Sequence, residues 1–174
     1  MKNKALEARL GDEVKIFIET RKSLQLSTVK IDGTPFASYA PFAIGDECLY
    51  VLLSEIAVHA TNLQHNSKAS VLILEDEDNC EELFARLRVN YSIDAEMQVW
   101  DSEEWHQGLK ALADRHGERI INLSEHEDFK LFKLKPTGGR YVKGFARAYS
   151  LLGGTLSGEA IDAMNDGHKR REVA

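Results

Sequence analysis

Cysteine and long apolar runs are scarce in this sequence of 174 residues. The two cysteines, Cys48 and Cys80, form no C-x-x-C pair and lack the spacing of a zinc site. No stretch approaches the roughly 18 apolar residues of a membrane span, and no apolar signal-peptide segment follows the basic start. These absences predict a cytoplasmic protein without a membrane anchor. The length suits one domain with an ordinary core.

Basic residues are outnumbered as well. The sequence has 22 Lys and Arg against 28 Asp and Glu, which leaves a formal net charge of −6. Phosphate-driven affinity needs a surplus of positive charge, so general binding to nucleic acid is disfavoured, and so is docking on anionic membranes. The exception is the run His168-Lys169-Arg170-Arg171 near the C-terminus, the densest basic segment in the sequence.

The motifs of several common enzyme classes are missing. The sequence has no P-loop, no G-x-G-x-x-G after a strand and no G-x-S-x-G elbow. Its six histidines include no i, i+4 pair of the metallohydrolase type. The run Glu125-His126-Glu127-Asp128 contains metal-ligand residue types, but a loop of this composition is more often only solvated. Classical nucleotide and serine-hydrolase chemistry are both disfavoured.

Periodicity predicts one helix followed by short strands. Apolar residues recur at helical spacing through the first twenty residues. Aliphatic and β-branched runs then predict strands, with turns at Asp32-Gly33 and Gly45-Asp46, and Ser54 is expected to cap a short helix. The first four predicted strands cover residues 24–31, 34–44, 48–53 and 69–74, the last of them apolar enough to be buried on both faces.

The clearest pattern runs from Ala85 to Val99, where every odd residue is apolar and most even residues are polar. This alternation predicts a half-buried antiparallel strand. The predicted strand is longer than the usual length of about five or six residues, and long strands of this kind curl into barrels. Asp101 is expected to cap the following helix, with Glu104 completing a capping box.

Two further strands, over residues 129–134 and 140–149, are predicted on either side of a turn at residues 136–139. From Leu151 the chain is rich in glycine and weakly patterned. The predicted fold class is mainly β with peripheral helices: a six-stranded antiparallel barrel with an N-terminal helix over residues 1–150. A C-terminal extension over residues 151–174 follows it.

Four basic side chains are candidates for binding an anion or a metal. Arg86 and Arg88 share one strand face, which is either a solvated exterior or a site for phosphate, carboxylate or dioxygen. His59, in the short helix, has the ordinary alternative of a surface histidine. His168 is either a solvated tail residue or, beside Lys169, a residue suited to haem. Haem iron takes a neutral imidazole, and its propionates take Lys or Arg.

The sequence resembles a known superfamily. The segments 24–29, 32–33 and 38–42 resemble the opening strands of the flavin-binding split barrels, typified by pyridoxamine phosphate oxidase. Further segments resemble the bacterial haem-utilisation proteins of the HutZ/HugZ type, and the resemblance extends from about residue 6 to residue 169. These more specific segments are 54–63, 83–88, 128–132, 141–145 and 167–169.

The resemblance implies a homodimer of split β-barrels that binds haem at the subunit interface and degrades it oxidatively, releasing iron. Such an enzyme takes electrons from an external donor or reductase. His168 matches the axial haem ligand, and Asp128 matches a carboxylate that steadies this imidazole, reaching it from the other subunit. Arg88 matches a basic residue near haem, Lys169 lies beside the axial ligand, and His59 is placed near the dimer interface.

Two other functions remain open on the sequence. A non-enzymatic haem shuttle or storage protein needs the same axial histidine. An FMN-dependent oxidoreductase of the same fold is the other alternative. Flavin-binding relatives hold the FMN phosphate with basic residues near the short helix after the third strand. Here that stretch offers Glu55 and His59, and no Lys or Arg before Lys68, which disfavours FMN. Arg86 and Arg88 keep that alternative open.

Overall fold

The computed structural model describes residues 4–164, so the predicted ligands His168 and Lys169 lie outside the described residues. The chain begins with helix α1, Lys4–Thr20. Its apolar residues recur every three or four positions, and the stripe they form is buried against the sheet, as the periodicity predicted. The buried apolar residues of this helix are Leu10, Val14, Phe17 and Ile18.

Nine antiparallel strands form one curled sheet in the described part of the chain. The strands are β1 Ser23–Val29, β2 Pro35–Pro41, β3 Ala43–Ile44, β4 Leu49–Ser54, β5 Lys68–Leu74, β6 Arg88–Met97, β7 Phe129–Gly144, β8 Arg147–Leu152 and β9 Ala160–Met164. Their order is β2-β1-β5-β6-β7-β4-β3, with β8 paired to β7 and β9 to β8. The remaining helices are α2 Val58–His65, α3 Glu103–His116 and α4 Arg119–Ser124, with single 3₁₀ turns at Glu77–Asn79 and Leu83–Ala85.

The predicted fold class is confirmed, but the described residues form nine strands where a six-stranded barrel was predicted, because residues 35–44 form two strands and β8 and β9 follow residue 146. The predicted turn at residues 136–139 is also wrong. Strand β7 is continuous over 16 residues, where the sequence predicted two strands around a turn. Pro136 lies where the register against β6 shifts, between Ser92 and Ile93, and a bulge tolerates a residue without an N–H. A Cβ on Gly139 would lie 2.6 Å from the Asn90 carbonyl oxygen, so glycine is required there by close strand approach.

Strand β7 therefore has two different partners on the side away from β6. Its first part, from Phe129 to Leu134, pairs with β4, and its later part, from Gly139 to Gly144, pairs with β8. The longest strand predicted from the sequence was instead the one over residues 85–99. That strand begins only at Arg88, because Leu83–Ala85 form a 3₁₀ turn.

Both predicted helix caps are wrong. The residue at the N-terminus of α2 is Ala57, which supplies no side-chain cap. At α3 the cap is Ser102, whose hydroxyl accepts a hydrogen bond from the Trp105 amide. Asp101 instead has φ of 63° and lies 2.8 Å from His106 Nε2.

Two other local predictions also need correction. The stretch from Leu151, which is weakly patterned in sequence, contains regular structure: β8 extends to Leu152, and β9 pairs with β8 in an antiparallel hairpin. In β5 only Val71 and Ile73 are fully buried, so that strand alternates instead of being buried on both faces.

The main core lies between α1 and the inner face of the sheet. Alternate residues of β6 and β7 point into it, including Val89, Tyr91 and Tyr141. The Tyr91 hydroxyl, deep in this core, donates to the Leu156 carbonyl at 2.6 Å. A second cluster packs α3 on the sheet and includes Cys48, which is buried as predicted and whose thiol pKa is raised by desolvation. No helix within residues 4–164 is long and apolar enough to cross a membrane.

Candidate functional site

A cavity of about 470 Å³ lies at the ends of β6, β7 and β8 and collects three arginines, Arg88, Arg140 and Arg147. Arg88 is opposite Val142 in the β6–β7 ladder, and Arg140 is two residues from Val142, so both arginines project from the same face. This is the outer face, because the neighbouring Tyr141 points into the core. The rest of the lining is Phe84, Val142, Gly144, Phe145, Ala146, Ala148 and Met164.

The charge of this cavity is unbalanced. None of its lining residues is acidic, and no carboxylate within residues 4–164 forms an ion pair with Arg88, Arg140 or Arg147. Arg88 is half-buried, and its Nη1 donates to the Arg86 carbonyl oxygen at 2.8 Å. Arg140 and Arg147 are exposed at the cavity rim. Three guanidinium groups without counter-ions make this cavity a site for an anion.

Arg86, which the sequence treated as equivalent to Arg88, has a structural role. Its Nη1 lies 3.1 Å from the Glu77 carboxylate, and its Nε donates to the Glu75 carbonyl oxygen at 3.2 Å. Arg86 thus fastens the acidic loop before β6 and is already paired. Of the two arginines, Arg88 is the one with positive charge available to a ligand.

Aromatic side chains border the same cavity. Phe84 is 88% exposed and Phe145 is 65% exposed. Exposed large apolar groups next to a concave surface are a common mark of ligand binding. Together with the arginines they make a site for a ligand that is both flat and apolar and negatively charged.

Asp128 lies immediately before β7, at the opposite end of that strand from the cavity. Ser54 Oγ donates to its Oδ2 at 2.6 Å, and the Glu55 amide donates to its carbonyl oxygen at 2.7 Å. Thirteen residue steps of β7 separate Phe129 from Val142, which is up to about 40 Å of extended strand. Within one chain the structure does not bring Asp128 and Arg88 together.

His59 occupies a third place, on α2 beside the first two strands. Its Nδ1 lies 2.9 Å from Ser38 Oγ, and Ser38 Oγ donates to the Leu26 carbonyl at 3.2 Å. Because the single hydroxyl proton of Ser38 is used in that bond, His59 Nδ1 is the donor to Ser38, which leaves Nε2 with a free lone pair. Burial lowers the pKa of His59 and favours this neutral form.

Sequence reasoning missed Arg140 and Arg147. Both lie in a stretch predicted as one strand, over 140–149, whereas the structure places them on two strands joined by a tight turn at Phe145 and Ala146. Only the hairpin places Arg147 in the same cavity as Arg88, and no local sequence pattern indicated this hairpin. The acidic run at 125–128 forms no metal site, since no group of three or more metal-ligand side chains is clustered within residues 4–164.

Comparisons with known proteins agree with this fold. Residues 10–143 match the family model described as pyridoxamine 5′-phosphate oxidase. The chain is 42% identical over 172 residues to the haem oxygenase HutZ of Vibrio cholerae serotype O1, covering 98% of this chain and 96% of the relative.

Solved structures show the same similarity. A crystal structure of HutZ from Vibrio cholerae, described there as the haem storage protein, has a TM-score of 0.73 and 45% identity, covering 78% of this chain and 96% of that one. The crystal structure of Campylobacter jejuni ChuZ has a TM-score of 0.80 and 28% identity, covering 94% of this chain and 67% of the other.

Proposed function

The chain belongs to the pyridoxamine 5′-phosphate oxidase family and, within its split barrels, to the haem-utilisation proteins, and from this premise we propose that it binds haem and degrades it oxidatively to release iron. The observation that carries the proposal is the cavity lined by three arginines that form no ion pair with any carboxylate of residues 4–164. Haem is a flat apolar ring with two carboxylates, and the cavity offers aromatic and guanidinium groups and no acid. Its volume of about 470 Å³ lies within the range of small-molecule sites, roughly 300–1,000 Å³.

Covalent geometry supports His168 as the iron ligand. Met164 lines the cavity, and His168 follows it by four residues. A chain spans at most about 3.6 Å per residue, so the His168 Cα is tethered within about 14 Å of the Met164 Cα. Lys169 follows His168 directly and supplies a further cation for a propionate. The tether supports the proposal because it keeps an imidazole within reach of a cavity whose arginines form no ion pair within residues 4–164.

The separation of Asp128 from the cavity supports a homodimer. Asp128 cannot reach a ligand beside Arg88 of its own chain, because β7 separates them. We propose that Asp128 acts on the cavity of the other subunit of a two-fold symmetric dimer, in which each of the two cavities would receive one Asp128. Ser54 holds Oδ2 of Asp128, so Oδ1 is available to accept the imidazole N–H and keep that ring oriented.

The chain and its ligand have separate tasks in the proposed reaction. Bound haem with an external electron donor supplies the oxygen chemistry. Asp128 holds the proton on the outer nitrogen of His168, so that the other nitrogen keeps its lone pair for iron. Arg88, fixed by the Arg86 carbonyl, keeps a positive charge beside the ligand, where it stabilises negative charge that develops during the reaction. The cytoplasm remains the predicted location.

Haem titration tests the proposal. Adding haemin to the wild type is expected to give a Soret band, and ascorbate or a reductase with oxygen is expected to bleach it with release of iron. His168→Ala is expected to lose the band. A wild type that forms no haem complex would refute the proposal as a whole, and binding unchanged in His168→Ala would refute the ligand assignment.

Two alternatives give different outcomes in the same experiment. A haem storage protein, as the HutZ structure is described, would keep a stable Soret band under every reducing condition. The family match also suggests an FMN-dependent oxidoreductase. Such a protein would be yellow as purified, and its flavin absorbance would be unaffected by His168→Ala. Glu55 accepts a hydrogen bond from Gln64 at 2.8 Å, and its carboxylate lies 3.8 Å from Lys130 Nζ. The cation near the short helix is therefore paired with a carboxylate, which disfavours a phosphate there.

A further inference from the structure

Strand β7 carries five cations, and two of them, Lys133 and Arg140, form no ion pair within residues 4–164. Of these two, only Arg140 lines the cavity. Lys130, Lys135 and Lys143 each form an ion pair with a glutamate. Arg140, on the same strand, has no such partner within residues 4–164, and neither has Arg147 across the hairpin. Both arginines line the same cavity, so their like charges repel each other, and no lining residue is a carboxylate that would offset this repulsion. A ligand that carries negative charge at two points would remove this repulsion.

Arg88 differs from these two arginines in how it is held. It is half-buried, and one of its nitrogens is committed to the Arg86 carbonyl at 2.8 Å. Arg140 and Arg147 are exposed, and their guanidinium groups form no hydrogen bond or ion pair within residues 4–164. A fixed guanidinium suits a rigid part of a ligand, whereas long exposed arginines can adjust to groups on flexible arms. The guanidinium fork matches a carboxylate through two parallel hydrogen bonds.

We infer that Arg140 and Arg147 bind the two propionate carboxylates of haem, while Arg88 faces the ring and the iron-bound side. This inference rests on the proposed function and deepens it by assigning the residues that recognise the carboxylates. Phe84 and Phe145 border the same cavity and supply the apolar contact for the ring. The cavity then selects a flat ring with two acidic arms, and a neutral ring of the same size loses the contribution of both arginines.

The test pairs protein variants with a modified ligand. Haemin and haemin dimethyl ester, in which both carboxylates are methylated, are titrated by Soret absorbance against the wild type, Arg140→Gln and Arg147→Gln. For haemin we expect each variant to raise the Kd about tenfold, the value of one charge-assisted pair. For the dimethyl ester we expect the wild type and both variants to bind equally well.

Arg119→Gln is the matched control, because Arg119 is an exposed arginine on α4, outside the cavity lining. It is expected to bind both ligands like the wild type. Arg140→Lys keeps the charge without the fork and is expected to restore only part of the haemin affinity. Thermal midpoints measured on all variants show that they are folded.

The outcomes separate the inference from the proposed function. If the wild type binds haemin and both Gln variants bind it equally well, the carboxylate assignment is overturned and haem binding stands. If the variants lose affinity for haemin and for the ester to the same extent, the arginines act without contacting the carboxylates, which also overturns it. If the wild type binds neither ligand, the proposed function fails and the inference fails with it.

Discussion

Ser54 donates a hydrogen bond from its hydroxyl to Asp128 Oδ2 at 2.6 Å, joining two residues that lie 74 positions apart in the chain. The same hydroxyl accepts from the Ile56 amide at 3.2 Å, and the Glu55 amide donates to the Asp128 carbonyl at 2.7 Å. The end of β4 therefore fixes both the backbone and the carboxylate of Asp128. A carboxylate held on one oxygen presents the other in a constant direction.

Ser54→Ala is expected to lower the free energy of unfolding by about 1 kcal/mol, the usual net value of one hydrogen bond with partial burial. Urea denaturation measures it. Ser54→Thr keeps the hydroxyl and is expected to stay close to the wild type. In a double-mutant cycle with Asp128→Ala the two losses should be less than additive, because each substitution removes the same bond. Full additivity would show that the contact contributes nothing.

Asp128→Asn is expected to weaken haem binding or turnover by roughly 10–100-fold, the usual effect of losing a partner that orients a metal-bound imidazole. The amide has nearly the same size but carries no charge, so it stabilises the imidazole N–H less. Haem loss under single-turnover conditions, followed at several pH values, measures the effect. The pH profile of haem loss is compared between the variant and the wild type as well. Identical profiles for the variant and the wild type would remove Asp128 from the mechanism.

Periodicity predicted the parts of this fold that depend on local burial. Alternation identified β6 with its core residues Val89 and Tyr91, and helical spacing identified α1. The predicted turn at 136–139 was wrong because proline and glycine also occur at a bulge. The choice between turn and bulge depends on register with β6, which is set far away in sequence.

The candidate site was only partly predictable for the same reason. Arg88 stood out on its strand, whereas Arg140 and Arg147 join it only through the hairpin of β7 and β8. Asp128 was predicted only through the resemblance to the haem-utilisation proteins, because an acidic loop residue has no local mark of function, and its role stays a prediction. Ser54, which was predicted to cap α2, donates its hydroxyl proton to Asp128 instead.

Gly139→Ala tests the close approach of β7 to β6. A Cβ there would lie 2.6 Å from the Asn90 carbonyl oxygen and 2.8 Å from Tyr91 Cδ1. Because the first of these atoms belongs to the backbone of the paired strand, relief requires a shift of the strand. We expect a loss of about 1–3 kcal/mol in the free energy of unfolding, measured by urea denaturation.

Gly154→Ala is the control for that prediction. The nearest atom to its added Cβ is the Pro136 carbonyl oxygen at 3.6 Å, an ordinary contact distance. Its stability is expected to stay near the wild-type value. Equal stability of the wild type and the Gly139→Ala variant would show that β6 and β7 do not approach each other as closely as described.

Arg115→Lys tests how α1 is joined to α3. Arg115 Nη2 donates to the Glu19 carbonyl at 2.9 Å and to the Ile18 carbonyl at 3.3 Å, and these carbonyls belong to the last turn of α1, which lacks intrahelical partners. The guanidinium also lies 5.0 Å from the centre of the Phe42 ring. Lysine keeps the charge but cannot make this set of contacts. We expect a loss of about 1–2 kcal/mol, whereas the exposed Arg119→Lys should change little.

His59 links the stability of the protein to pH. Burial lowers its pKa in the folded state below the ordinary value of 6.5. In the pH range between the folded and the unfolded pKa, the unfolded chain therefore binds more protons, and the free energy of unfolding rises with pH. Above this range both states carry a neutral ring, and His59 makes no pH-dependent contribution.

His59→Asn is consequently expected to reduce the loss of stability as the pH falls through 6.5 and to leave the slope unchanged above about pH 8. The amide of asparagine retains a donor toward Ser38, which accepts from His59 Nδ1 at 2.9 Å, but it takes up no proton. Urea denaturation at several pH values between 5 and 8.5, roughly the range around the histidine transition, measures the slope. His65→Asn, at an exposed position of the same helix, is the matched control. If both variants keep the wild-type slope at every pH, the buried imidazole of His59 is not a source of acid sensitivity.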